Sequence, residues 1–157
     1  DAVCKEIEKE TLPCSTKNHT LVGGKKYDKA AVELQINALQ LEKDIAQHLT
    51  QKYGDRVPKL LEIITEKPSL RSRIHADFPF IEAEVIYTVR EEMAVKPRDF
   101  FGRRTRFELL DWQATQQSIE KVGNLMATEL QWNAEKTSNY ITEYKKLIDK
   151  FVETAEI

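Results

Sequence analysis

Residues 79–93 read PFIEAEVIYTVREEM, and this stretch says whether the chain is built from helices. Pro79 stands where a first helical turn tolerates proline, and no Gly or Pro interrupts the run until Pro97. The spacing predicts a helix of about fourteen residues. At 100° per residue from Ile81, the residues Ile81, Val85, Val89, Ile86 and Met93 fall on one broad stripe. Glu84, Tyr87 and Glu91 fall outside it, whereas Glu82 lands inside, between Val89 and Met93. A carboxylate among apolar side chains is costly unless a cation or several donors meet it.

Outward from this stretch the pattern stays helical. Asp28 is placed to cap a helix carrying Ala31, Val32, Leu34, Ile36 and Leu39. Leu41, Ile45, Leu49 and Tyr53 follow at four-residue spacing, with Gly54 placed to end that helix in a left-handed conformation. Asp55 as cap and Pro58 in the first turn restart a helix through Leu60, Leu61, Ile63 and Ile64, which Pro68 stops. Pro97 opens a short helix, PRDFFGRR. Asp111 caps a long one with Ile119, Val122, Met126 and Leu130 in register, and Asn133 caps the last, with Tyr140, Tyr144, Leu147 and Phe151. The fold class is all-α, a compact bundle of about seven helices with an irregular N-terminal segment. Pro13, Gly23 and Gly24 mark residues 12–29 as loop, and HTLVGG (residues 19–24) carries a strand signal too short to build a sheet.

The chain has 157 residues, 41% apolar and 32% charged, which suits one domain with a real core. Lys plus Arg number 24 against 26 for Asp plus Glu, a net charge of −2. A general nucleic-acid binder carries a basic surplus, so no nucleic-acid partner is expected. Cys4 and Cys14 are read as free thiols, too few for a zinc site or a disulfide framework. The Asn18–Thr20 triplet matches a glycosylation sequon but follows no signal peptide. No apolar run approaches the roughly 18 residues that cross a bilayer, so a soluble segment is expected. The opening DAVCKEIEKE reads as the tail of a helix already under way, and the chain as a piece of a longer one.

Catalytic patterns are missing. Neither G-x-G-x-x-G nor G-x-x-x-x-G-K-[ST] occurs, and the five glycines are too few for a phosphate-cradling loop. His19, His48 and His75 lie far apart and are read as surface or partly satisfied histidines. No calcium loop and no G-x-S-x-G elbow is present. Glu91 and Glu92, adjacent on a helix, are read as a solvated face. No catalytic, cofactor-binding or metal residue is expected.

One charged block remains. FFGRRTRFELLD, residues 100–111, sets Arg103, Arg104 and Arg106 beside apolar runs. As a DNA site it would follow a helix, but the acidic residues of FELLD repel phosphate. As a structural network it has partners at hand. Glu82 needs a donor that Arg103 or Arg104 can supply in bidentate fashion, and Asp99 and Glu108 are further local partners.

Residues 78–111, FPFIEAEVIYTVREEMAVKPRDFFGRRTRFELLD, resemble the most distinctive block of the C-terminal domain of FAD-dependent glycerol-3-phosphate dehydrogenases and alpha-glycerophosphate oxidases. LVGGKKY (21–27) resembles the family's entry loop, HLTQKYGD (48–55) its H-L-x-x-x-Y-G-D turn, and LMATELQW (125–132) its L-M-x-x-E-L-x-W. The resemblance runs from about Leu12 to Lys146. It implies an accessory helical domain, residues 27–157, preceded in residues 1–26 by the tail of an FAD-binding part and an entry loop. The parent it implies oxidises sn-glycerol 3-phosphate to dihydroxyacetone phosphate. FAD is bound elsewhere in that chain, and electrons pass on to quinone in a membrane or to oxygen. The implied partners are the catalytic part of the same chain and, through it, the membrane quinone pool. The implied location is the periphery of the bacterial cytoplasmic membrane or the mitochondrial inner membrane. Glu82, Asp99, Arg103, Arg104, Arg106 and Glu108 are then expected to fix internal packing or the seam with the catalytic part. Gly102 departs from the family, where a helix-favouring residue is frequent, so the helix is expected to end or bend there. The competing reading is a freestanding helical adaptor that binds protein or nucleic acid through Arg103–Arg106.

Overall fold

A computed structural model describes residues 16–19, 21 and 28–155. The expectations for Cys4, Cys14, the opening segment, the glycosylation triplet and the entry loop fall wholly or partly outside the described residues.

Among the described residues the chain is helical, and its only β-type pairing is an isolated antiparallel bridge between Arg73 and Ile81. The helices are α1 (Lys29–Ala38), α2 (Lys43–Tyr53), α3 (Val57–Glu66), α4 (Glu82–Glu92), α5 (Phe107–Leu110), α6 (Trp112–Glu129) and α7 (Ala134–Ala155). A six-residue π-helical turn spans Asp99–Arg104. Short 3₁₀ turns cover Thr16–Asn18, Gly54–Arg56 and Pro68–Arg71.

Local chemistry sets most of the boundaries. Asp28 accepts the Ala31 N–H at 3.1 Å, Asp111 the Ala114 N–H at 2.8 Å and Asn133 the Lys136 N–H at 2.8 Å, each closing an orphan donor of a first turn. Gly54 ends α2 at φ 51°, a conformation that disfavours a side chain. Asp55 does not cap α3. It lies in the 3₁₀ turn, Arg56 occupies the cap position, and Asp55 Oδ1 is buried with no hydrogen-bond partner.

Two apolar clusters fill the bundle, and α4 lies between them. Ile45, Leu49, Tyr53, Leu60, Leu61 and Ile64 from α2 and α3 pack on Ile81, Ala83, Ile86 and Tyr87. Val85 belongs to the second cluster, with Phe80, Phe100, Phe101, Phe107, Ile119, Val122 and Met126, and with Tyr144 and Ile148 of α7. Each fully buried side chain of this size contributes on the order of 1.5–3 kcal/mol.

The position of α4 overturns the single-stripe reading. Glu84 and Tyr87, expected outside the stripe, are 0% and 2% exposed, and Met93, expected within it, is 80% exposed. A helix clad on two sides buries residues all round its circumference, so one apolar face no longer describes it. The helix is also shorter than its pattern. Phe80 and Ile81 are tied to the 72–74 segment by Ile74 N–H to Phe80 O at 2.8 Å and Glu82 N–H to Ser72 O at 2.9 Å. Met93 then ends α4 in the left-handed region at φ 54°.

Candidate functional site

The most deeply buried charge is on Glu84. As the third residue of α4, it turns back to accept the Ile81 N–H on Oε2 at 2.8 Å, half of a capping box. Its Oε1 accepts from Tyr53 Oη at 2.8 Å and lies 2.8 Å from His48 Nε2, with Lys52 Nζ at 3.8 Å. His48, Lys52 and Tyr53 stand at i, i+4 and i+5 on α2, so one helix face delivers all three. The Lys52 ammonium also lies 5.1 Å from the Tyr53 ring centroid and 5.4 Å from that of Phe80. Burial pushes the Lys52 amine below its ordinary range, against the pull of Glu84 and Glu92. Burial, helped by the Glu84 charge, holds the Tyr53 phenol well above its own range. Both oxygens of Glu84 are engaged, so this carboxylate serves the join between α2 and α4. Sequence reasoning missed it, although the polar spacing within HLTQKY was the available signal.

Tyr53, Tyr87 and Tyr144 all have raised phenol pKa values, with burial the largest cause in each. The folded state therefore binds more protons than the unfolded chain above about pH 10, the ordinary phenol value. Stability that these groups supply is fully present below that pH and is lost as pH climbs beyond it. Tyrosinate absorbance at 295 nm is expected to show a late step that coincides with the loss of helical circular dichroism. Complete, non-cooperative ionisation near pH 10 with the helices intact would contradict this.

The arginine block divides by role. Asp99 is 5% exposed, and its Oδ2 accepts the N–H groups of Val95 and Lys96 at 2.9 and 3.0 Å, while its Oδ1 pairs with Arg103. Arg104 closes the C-terminus of α4: Nε donates to the Glu92 carbonyl at 3.1 Å and lies 3.5 Å from the Glu92 carboxylate. Glu92 is thus half-buried and paired rather than solvated, and burial pushes its carboxyl above the ordinary range. Glu108 accepts from Tyr144 Oη at 2.6 Å and has Arg98 Nε at 3.8 Å. Gly102 does not end the helical segment, which runs through it as the π turn Asp99–Arg104. A Cβ there would lie 2.7 Å from Glu108 Cδ, so the missing side chain makes room for that carboxylate.

Glu82 does not meet an arginine. Its Oε1 lies 3.3 Å from Lys121 Nζ on α6, because α6 runs along α4 whereas Arg103 and Arg104 sit beyond the opposite end of α4. Arg106 stands apart from the rest. It is exposed and adopts φ 57°, and its guanidinium has no hydrogen bond or ion pair among the described residues. Directly after it come Leu109, Leu110 and Trp112, exposed by 75%, 63% and 37%. One guanidinium and three large apolar side chains therefore form an uncovered ridge, while Asp99, Arg104 and Glu108 of the same charged block are engaged.

Among the described residues no group of three His, Cys, Asp or Glu could hold a metal ion. No described helix is long and apolar enough to cross a membrane. Gly54, Gly102 and Gly123 occur singly, at a helix end, in the π turn and within α6, and none forms a glycine-rich turn leading into a helix.

The family model for the C-terminal domain of alpha-glycerophosphate oxidase matches residues 14–137. A probable mitochondrial glycerol-3-phosphate dehydrogenase of Dictyostelium discoideum is 39% identical over 123 residues, covering 78% of this chain and 19% of that protein. The mitochondrial glycerol-3-phosphate dehydrogenase of Mesocricetus auratus is 34% identical, over 85% of this chain and 19% of its own length. The human protein of the same name is 31% identical, over 94% of this chain and 21% of its own. The chain spans about a fifth of the length of these curated relatives. No solved structure matches it.

Proposed function

The chain belongs to the alpha-glycerophosphate oxidase C-terminal domain family, and from that premise we propose that it is the accessory helical domain of an FAD-dependent glycerol-3-phosphate dehydrogenase. The parent oxidises sn-glycerol 3-phosphate to dihydroxyacetone phosphate. The two electrons released pass to FAD, held in the other part of the polypeptide, and then to quinone. Residues 27–157 form the accessory domain, and residues 1–26 lead in from the catalytic part. The mitochondrial names of the relatives support a parent at the periphery of the mitochondrial inner membrane.

The observation that carries this reading is the ridge Arg106, Leu109, Leu110 and Trp112, exposed next to a network in which Asp99, Arg103, Arg104 and Glu108 are engaged. Such a domain contributes a surface rather than a reaction. Asp99, Arg103, Arg104 and Glu108 hold the segment beneath the ridge, Glu82 ties α4 to α6, and Arg106 belongs to the seam with the catalytic part. The adaptor reading loses its basic patch, because Arg103 is paired with Asp99 and Arg104 caps α4.

The test is the double variant Leu109→Ser, Leu110→Ser in the full-length protein. Dye reduction driven by glycerol 3-phosphate is expected to fall at least about tenfold, while the melting of this domain by itself stays within about 2 °C. An intact wild-type protein that neither binds flavin nor reduces dye would end the dehydrogenase reading. Full activity in the double variant would end the seam alone.

A further inference from the structure

We propose that the cleft between residues 96–103 and α7 is a binding site for a phosphate group carrying two or more negative charges. The cleft has a volume of about 480 Å³, within the range of small-molecule sites. Its basic lining is Lys96, Arg98, Arg103, Lys146 and Lys150, set against the carboxylates of Asp99 and Glu143. That leaves a surplus of three positive charges in a chain whose net charge is −2. A concave surface with a net positive lining concentrates anions.

The contacts show which cations are uncommitted. Asp99 is spent on two backbone N–H groups and on Arg103. Lys96 lies 3.6 Å from Glu143. The Arg98 guanidinium lies 5.9 Å from the centroid of the Phe151 ring, with Nε 3.8 Å from Glu108. Lys146 and Lys150 are exposed, and their ammonium groups have no ion pair or hydrogen bond among the described residues. They stand four residues apart on one face of α7, an arrangement in which like charges repel. A multiply charged anion between them removes that repulsion and meets the unpaired nitrogens of Arg103 across the cleft. A single carboxylate carries one charge and would leave the rest of the surplus uncompensated. Tyr140 and Leu147 supply apolar wall, which suits a phosphate ester with a carbon skeleton.

The experiment acylates lysines in the full-length protein and reads each site by mass spectrometry, with and without inorganic pyrophosphate at constant ionic strength. Lys146 and Lys150 are expected to react at least about fivefold more slowly with pyrophosphate, while exposed Lys29 on α1 is unchanged. The Lys146→Gln, Lys150→Gln variant is expected to bind pyrophosphate about tenfold more weakly by calorimetry, with its melting temperature unchanged. A parallel arm replaces pyrophosphate with phosphatidylcholine vesicles, with and without phosphatidic acid, whose phosphate monoester can carry two negative charges. Protection by pyrophosphate alone assigns a soluble phosphate ester, and protection by the anionic vesicles alone assigns a lipid headgroup. Equal protection of Lys29, protection by neither probe, or lysines already unreactive before any probe is added would each overturn the site.

Discussion

Replacing Glu84 with alanine is expected to destabilise the protein by about 3–5 kcal/mol, which is a large part of the 5–15 kcal/mol that typically holds a domain together. The side chain is fully buried and accepts from His48, Tyr53 and the Ile81 N–H, with Lys52 close by. Truncation leaves those donors facing a cavity, and it strips the N-terminus of α4 of its cap. The loss is greater than that of a surface pair because Tyr53 and the Ile81 N–H are buried and have no water to return to. Glu84→Gln keeps the volume and one acceptor oxygen, so its cost is expected to be about half as large. Urea denaturation followed at 222 nm measures both variants, and the alanine form is expected to melt on the order of 10 °C lower. A shift under about 0.5 kcal/mol for Glu84→Ala would mean that the network does not hold α2 to α4.

Phe107→Ala is expected to cost about 3–5 kcal/mol. The ring is completely buried, with centroids 4.7 Å from Phe78, 4.8 Å from Phe80 and 5.7 Å from Phe101. It joins the loop before α4 to the π turn, so its removal opens a cavity where several elements meet. The left-handed conformation of Arg106, one residue earlier, turns the chain so that Phe107 points inward. Leu109→Ala and Leu110→Ala, only two and three residues on, are expected to stay within about 0.5 kcal/mol of wild type, because both side chains are exposed. Calorimetric melting of the three variants is the comparison. Similar losses for all three would show that the ridge is packed within the domain and would remove it as a seam.

The helices were legible where one residue and its near neighbours decide the outcome. Asp28, Asp111 and Asn133 begin helices because a side-chain oxygen reaches an N–H three residues away, whatever the remainder of the chain does. The register of Ile119, Val122 and Met126 was legible because α6 buries a single apolar stripe. The candidate site was legible in part. Asp99 and Arg103 are four residues apart and pair locally, whereas the Arg104 cap on Glu92, twelve residues away, depends on how the π turn folds back over α4.

Local spacing was enough to make this chain helical and to place its caps, since hydrogen bonds within a turn and the 3.6-residue period act over a few residues. Which charges are buried was settled only when α4 came to lie between two clusters. Glu84, read as an outward carboxylate, became the most enclosed charge, and Glu82 found a lysine on α6 in place of an arginine. Burial is a property of what packs against a residue. Those neighbours come from α2 and α6, more than thirty residues away along the chain, where no periodicity within α4 can register them.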